Sequence, residues 1–300
     1  MALAKKWQGV FPAVTTQFHK DLSLDLDGFS RHLEALIDSG VTGLIVCGSL
    51  GENQSLDPEE KRTVLKRAIE VAKGRLPVLS GVAETSTLAA CRYVADGERL
   101  GASGYMVMPA MVYKSDSREA ENHFRRVAAA TSLPWMLYNN PVGYTVDITP
   151  AQFARLSDIK NLVALKESSA NTRRVTELRI EVGDRYQIFV GVDDLILQAA
   201  VLGIDGWVAG SGIAFPKENQ HFWELTRQGR WDEARAMYLW FYPLLKLDTH
   251  IKFVQYIKLA VQEVGLGTEW VREPRLILAG AEREAVLATI HKGIAERPRL

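Results

Sequence analysis

The chain has 300 residues, 47% of them hydrophobic and 24% charged, and its 36 Lys plus Arg are matched by 36 Asp plus Glu. This is the composition of a soluble globular protein, and a net charge near zero argues against capture by nucleic acid or an anionic membrane. Two cysteines, Cys47 and Cys91, are too few for a disulfide framework or a cysteine-rich metal site.

The start, Met1-Ala2-Leu3-Ala4-Lys5-Lys6-Trp7, lacks the apolar core of a secretory leader. No run approaches membrane-spanning length, so the expected compartment is the cytoplasm. Beyond the start, short apolar runs alternate with longer amphipathic ones. Strands are expected at Gly9–Thr15, Thr42–Cys47, Pro77–Val82, Gly104–Met108, Pro134–Tyr138, Leu162–Lys166, Gln187–Val190 and Gly206–Ala209. Most lack polar alternation, the pattern of parallel strands covered on both faces.

Helices are expected between them. Asp27–Asp38 carries Phe29, Leu33, Leu36 and Ile37 on one face, with Gly40 as a stop. Asp57-Pro58-Glu59-Glu60 reads as an N-cap, a first-turn proline and a capping glutamate, opening a helix that runs to Gly74. Thr85–Leu100, Ser117–Thr131, Pro150–Leu156, Thr172–Val182 and Leu195–Leu202 complete the set. After Pro216 only helical patterns remain, at Asn219–Thr226, Trp231–Leu247, Lys252–Val264 and Ala279–Ala295. Eight strand–helix units predict the α/β class and a (β/α)8 TIM barrel over residues 1–225. Residues 226–300 are expected to form a C-terminal helical extension packed on it. A doubly wound sheet would want a G-x-G-x-x-G turn after the first strand, and none is there.

In such barrels chemistry sits at the C-terminal ends of the strands. That rule selects Gly48-Ser49-Leu50-Gly51-Glu52-Asn53, Tyr138-Asn139-Asn140-Pro141, Lys166, and Gly191-Val192-Asp193-Asp194. An amine closing a buried apolar strand is desolvated, which lowers its pKa and frees a nucleophile able to form a Schiff base. The plainer alternative is a lysine snorkelling to water. The Gly48–Gly51 loop reads either as a tight turn or as an anion cradle of backbone N–H groups and the Ser49 hydroxyl. Tyr138 is a rim aromatic or a proton carrier. Asp193-Asp194 reads as a helix N-cap before a catalytic pair. The six histidines show no metal-ligand spacing, His250 being the one to watch. Cys47 reads as a buried filler.

Together, the lysine on strand six, Tyr-Asn-x-Pro on strand five and Gly-Ser-x-Gly-Glu after strand two resemble the dihydrodipicolinate synthase / N-acetylneuraminate lyase family. The resemblance runs from Gly9-Val10-Phe11-Pro12-Ala13 to the helical tail. It implies a pyruvate-type Schiff base on Lys166, Tyr138 as proton shuttle, Ser49 as relay hydroxyl, no metal or organic cofactor, and a homotetramer. The loop's second hydroxyl falls on Leu50, leaving the amides of Ser49 and Leu50 to hold a carboxylate. A tyrosine that the family sends into the neighbouring subunit's site matches Tyr113. Substrate contacts are expected from Ser49, Leu50, Gly191, Trp207 and Val208, with Trp207 narrowing the pocket.

The synthase's arginine after Tyr-Asn-x-Pro falls on Gly143. The chain looks most like the family's Δ1-pyrroline-4-hydroxy-2-carboxylate deaminases, in Gly48–Gln54 and in Leu247–His250 through Phe253–Lys258. The resemblance therefore implies a small-molecule substrate, a 2-keto acid or cyclic imine, converted to 2,5-dioxopentanoate and ammonia. Alternatives are a 2-keto-3-deoxy sugar acid dehydratase or aldolase, a dihydrodipicolinate synthase-like enzyme, and a barrel retained only for ligand binding.

Overall fold

Eight short runs that bury nearly every side chain form the strands of one parallel sheet. They are β1 (Gly9–Val10), β2 (Leu44–Val46), β3 (Val78–Val82), β4 (Gly104–Val107), β5 (Trp135–Asn139), β6 (Leu162–Glu167), β7 (Gln187–Val190) and β8 (Gly206–Trp207). The order is β1-β8-β7-β6-β5-β4-β3-β2. An isolated parallel bridge, Ala13 to Ile45, joins the two ends. The predicted (β/α)8 barrel is thus the observed architecture. The computed structural model describes residues 7–300. Residues 1–6, over which no secretory leader was expected, lie outside them.

The expected strand Gly9–Thr15 is cut to two residues. Pro12 has no N–H to give, and pairing beyond it rests on single bonds such as Val14 N–H to Ile45 O at 2.9 Å. Likewise β8 ends at Trp207, where Gly206–Ala209 was expected.

The barrel helices are α1 (Leu26–Asp38), α2 (Pro58–Ala72), α3 (Thr87–Leu100), α4 (Ser117–Ala129), α5 (Pro141–Tyr144), α6 (Pro150–Arg155), α7 (Arg173–Val182) and α8 (Ile196–Val201). The Asp57 capping box and its first-turn proline open α2 as predicted. Helix α5 was not predicted. It is one turn long, too short for any periodicity, and is held by Asn140, whose side chain accepts from Gly143 N–H at 2.8 Å.

The chain then continues as α9 (Pro216–Arg227), α10 (Trp231–Leu245), α11 (Phe253–Glu263) and α12 (Gly280–Ala295). Helix α10 gives way at Leu245 to a 3₁₀ turn, Lys246–Thr249. That turn brings the segment 246–253 to the C-terminal mouth of the barrel.

Extension and barrel are joined by a fully buried ion pair. Lys258 Nζ on α11 donates to Glu52 Oε1 at 3.0 Å and to Thr16 O at 2.8 Å, and both charged side chains are completely inaccessible. Arg272 N–H donates to Glu52 Oε2 at 3.0 Å. Removing one partner leaves an uncompensated buried charge, a loss of about 3–5 kcal/mol. Glu52→Ala is therefore expected to lower unfolding stability by that amount, and a urea titration with an unchanged midpoint would contradict it.

Candidate active site

Barrel register decides which side chains meet. Tyr138 on β5 pairs with Lys166 on β6, and Lys166 pairs with Phe189 on β7. Alternation puts Tyr138 and Lys166 on one face and their neighbours Asn139 and Glu167 on the other, where Asn139 Nδ2 donates to Glu167 Oε2 at 3.1 Å. Lys166 Nζ lies 4.0 Å from the centroid of the Tyr138 ring. The lysine is almost wholly buried. Burial lowers its pKa below the ordinary 10.5, with Asp248 opposing.

Room for this lysine comes from Gly191, just past β7. A Cβ there would sit 1.9 Å from Lys166 Cε and 2.5 Å from Ser168 Oγ. Ser168 is itself buried, and its hydroxyl has no hydrogen-bond partner among the described residues.

These groups open into a cavity of about 920 Å³ at the C-terminal end of the strands. Of the predicted site residues, Ser49, Leu50, Tyr138, Lys166, Gly191 and Val208 line it, and so does His250, stacked on Tyr256 at 4.6 Å. Two do not. Trp207 is buried outside the cavity lining, packed edge-on against Phe222 of α9 at 5.9 Å. It therefore does not narrow the pocket; alternation along β8 gives that place to Val208. Tyr113 is 63% exposed, its hydroxyl donating to Glu119, and it is not part of this chain's cavity.

The loop after β2 is rigidly held. Cys47 and Glu52 sit at positive φ, +53° and +57°, where side chains are strained. Asn53 Nδ2 donates to Cys47 O at 2.8 Å, Thr16 Oγ1 donates to Gly51 O at 2.7 Å, and Lys258 holds Glu52. No acceptor among the described residues takes the N–H of Ser49 or Leu50, which leaves both for a ligand anion. Cys47 is fully buried, and burial pushes its thiol up to about 12, so it is an inert filler as expected.

Sequence reasoning missed Tyr144. Its hydroxyl is hydrogen-bonded to Ser49 Oγ, and its ring meets Tyr138 edge-on at 5.7 Å. Asn140 Nδ2 donates to the Tyr138 hydroxyl at 3.0 Å, which leaves the phenolic proton free to point elsewhere. Burial pushes Tyr138 up to about 12, with the Asn140 bond opposing, and raises Tyr144 as well. Both are neutral phenols near pH 7.

The N-cap reading of Asp193 is also corrected. Its carboxylate accepts from Trp207 Nε1 at 2.9 Å, from Gly210 N–H at 3.1 Å and from Ser211 N–H at 2.6 Å. It therefore clamps the loop after β8 beside the lysine and caps no helix of its own.

Over residues 6–293 the sequence matches the dihydrodipicolinate synthetase family. The chain belongs to that family. At that level it is an enzyme, a class I lysine Schiff-base lyase. It is 30% identical over 275 residues to the 4-hydroxy-tetrahydrodipicolinate synthase of Desulforudis audaxviator, covering 92% of each. Its fold matches a dihydrodipicolinate synthase of Bacillus anthracis with a TM-score of 0.92 at 26% identity, covering 98% of this chain and 99% of that one. A pyruvate complex of the Acinetobacter baumannii synthase matches with a TM-score of 0.91 at 25% identity, covering 95% and 98%. No helix among the described residues is long and apolar enough to cross a membrane.

Proposed function

We propose that the protein is a Schiff-base deaminase that converts Δ1-pyrroline-4-hydroxy-2-carboxylate to 2,5-dioxopentanoate and ammonia. The observation that carries this reading is Gly143. It lies on the cavity wall where the synthase resemblance places an arginine, and Tyr144 beside it turns its hydroxyl to Ser49. A cation for a second substrate's carboxylate is missing there. Leu50, Val142, Val208, Ile251 and Phe253 give the wall an apolar part, beside a polar part that includes Asn140, Lys246, Asp248 and His250, and the apolar part suits a short substrate with one hydroxyl.

Neutral Lys166 attacks C2 of the cyclic imine, and ring opening leaves a Schiff base at C2 and an amine at C5. The amides of Ser49 and Leu50 hold the carboxylate. Tyr138 takes a proton from C3 through the Tyr144–Ser49 chain, because a phenol near pKa 12 works only by relay. The C4 hydroxyl then leaves, and tautomerisation and hydrolysis release ammonia and the keto acid. We propose that the enzyme acts in the cytoplasm as a homotetramer. The exposed turn at Val112 and Tyr113, with Val112 at a φ of +76°, supports a role for Tyr113 at a neighbouring subunit.

A second reading, dehydration of a 2-keto-3-deoxy sugar acid, is favoured by the buried unpartnered hydroxyl of Ser168, which suits an additional substrate oxygen. Ammonia release from Δ1-pyrroline-4-hydroxy-2-carboxylate separates the two. The deaminase reading expects rapid release, slowed by roughly 10²-fold or more in Tyr138→Phe and by a smaller factor in Tyr144→Phe. Absence of ammonia, with dehydration of a sugar acid instead, would replace it by the second reading.

A further inference from the structure

Two carboxyl groups flank one glycine on the cavity wall. A Cβ on Gly210 would lie 2.4 Å from Asp248 Oδ1 and 3.3 Å from Asp193 Oδ2. The two groups are supplied very differently. Asp193 takes three donors, from Trp207, Gly210 and Ser211. Asp248 is supplied only by the backbone of Asp193, takes no side-chain donor among the described residues, and faces the open cavity.

Carboxyl groups this close resist ionising together, and the proton settles on the one with fewer donors. That one is Asp248. The charged groups around it are Asp193 and Asp194 after β7, Lys166 on β6, and Lys246 on its own turn, which reaches Asp194 Oδ2 at 3.9 Å. Burial and the neighbouring Asp193 push Asp248 well above the usual carboxylate range, with Lys166 opposing.

We propose that Asp248 is a catalytic acid–base residue at the far end of the substrate, serving C4 and C5 while Tyr138 serves C3. The assignment rests on the deaminase reading above. In the Lys166 enamine, the electron pair moves toward C4 and the C4–O bond breaks. The departing oxygen takes the Asp248 proton and leaves as water. The Asp248 carboxylate then takes a proton from C5 as C3 regains its own from Tyr138. Asp248 returns that proton to C4, leaving an iminium at C5. Water adds to C5, supplies the proton that resets Asp248, and ammonia leaves.

Tyr138 and Asp248 therefore divide the work. This gives a distinctive expectation for Asp248→Asn, which keeps size and loses the proton. Ammonia release should fall about 10²-fold or more. Pyruvate should still be trapped on Lys166 by borohydride and still exchange its C3 hydrogens with deuterated water. Borohydride quenching during turnover of the imine should recover the ring-opened adduct that retains its hydroxyl.

Release within about threefold of the parent protein would overturn the assignment. So would loss of pyruvate exchange together with ammonia release, which would make Asp248 a support for the lysine. If the parent protein itself releases no ammonia, the deaminase reading fails first and takes this role with it.

Discussion

Lys166→Ala is expected to abolish ammonia release and to remove all borohydride-trapped adduct, while the barrel stays folded. The lysine is the only proposed group that can bond to C2, and acid–base residues alone cannot make C3 acidic without the electron sink it forms. Its buried position lowers its pKa, so the neutral amine persists further toward neutral pH than an ordinary lysine would allow. Adduct formation should rise with pH through that lowered value and level off above it. Initial trapping rates across a pH series check the sign. Rates that fall with rising pH would mean that the free amine is not the nucleophile.

Gly191→Ala is expected to cause a large loss of activity, although it removes no functional group. The added methyl would stand 1.9 Å from Lys166 Cε, so the lysine must move. A shift of about 1 Å at the reacting atom costs on the order of 10²-fold. Steady-state kinetics on a protein with a normal far-UV spectrum should show that loss in kcat/KM. A near-normal value would mean that the lysine works equally well from another place.

Both results depend on features that were legible in the chain to different degrees. Lys166 and Tyr138 could be found because strand ends are punctuated by polar residues after apolar runs, and because parallel register makes neighbours of them. Gly191 was visible as a loop residue, but its steric purpose appears only when β6 and β7 are side by side. Tyr144 was hidden because its helix is one turn long. Asp248 stood in a segment singled out only for its resemblance and was given no role, and only the 3₁₀ turn after Leu245 shows that the segment faces the cavity.

Two local readings gave way to long-range contacts. Asp193 looked like a cap for the turn that follows, yet all its donors lie 14 or more positions further on. Trp207 was expected to narrow the pocket because it falls in the segment where the resemblance puts substrate contacts after strand eight, yet the inward place goes to the next residue, Val208. The departure at Leu50 was legible in the sequence because a missing hydroxyl needs no geometry to be noticed. The Lys258–Glu52 pair, joining residues 206 positions apart, has no sequence signal at all.

The most direct test is to quench turnover of Δ1-pyrroline-4-hydroxy-2-carboxylate with borohydride and map the modified peptide by mass spectrometry. The predicted result is a single five-carbon adduct on Lys166, still carrying the amine or just freed of it. An adduct on another lysine, or ammonia released with no adduct at any time, would contradict the account.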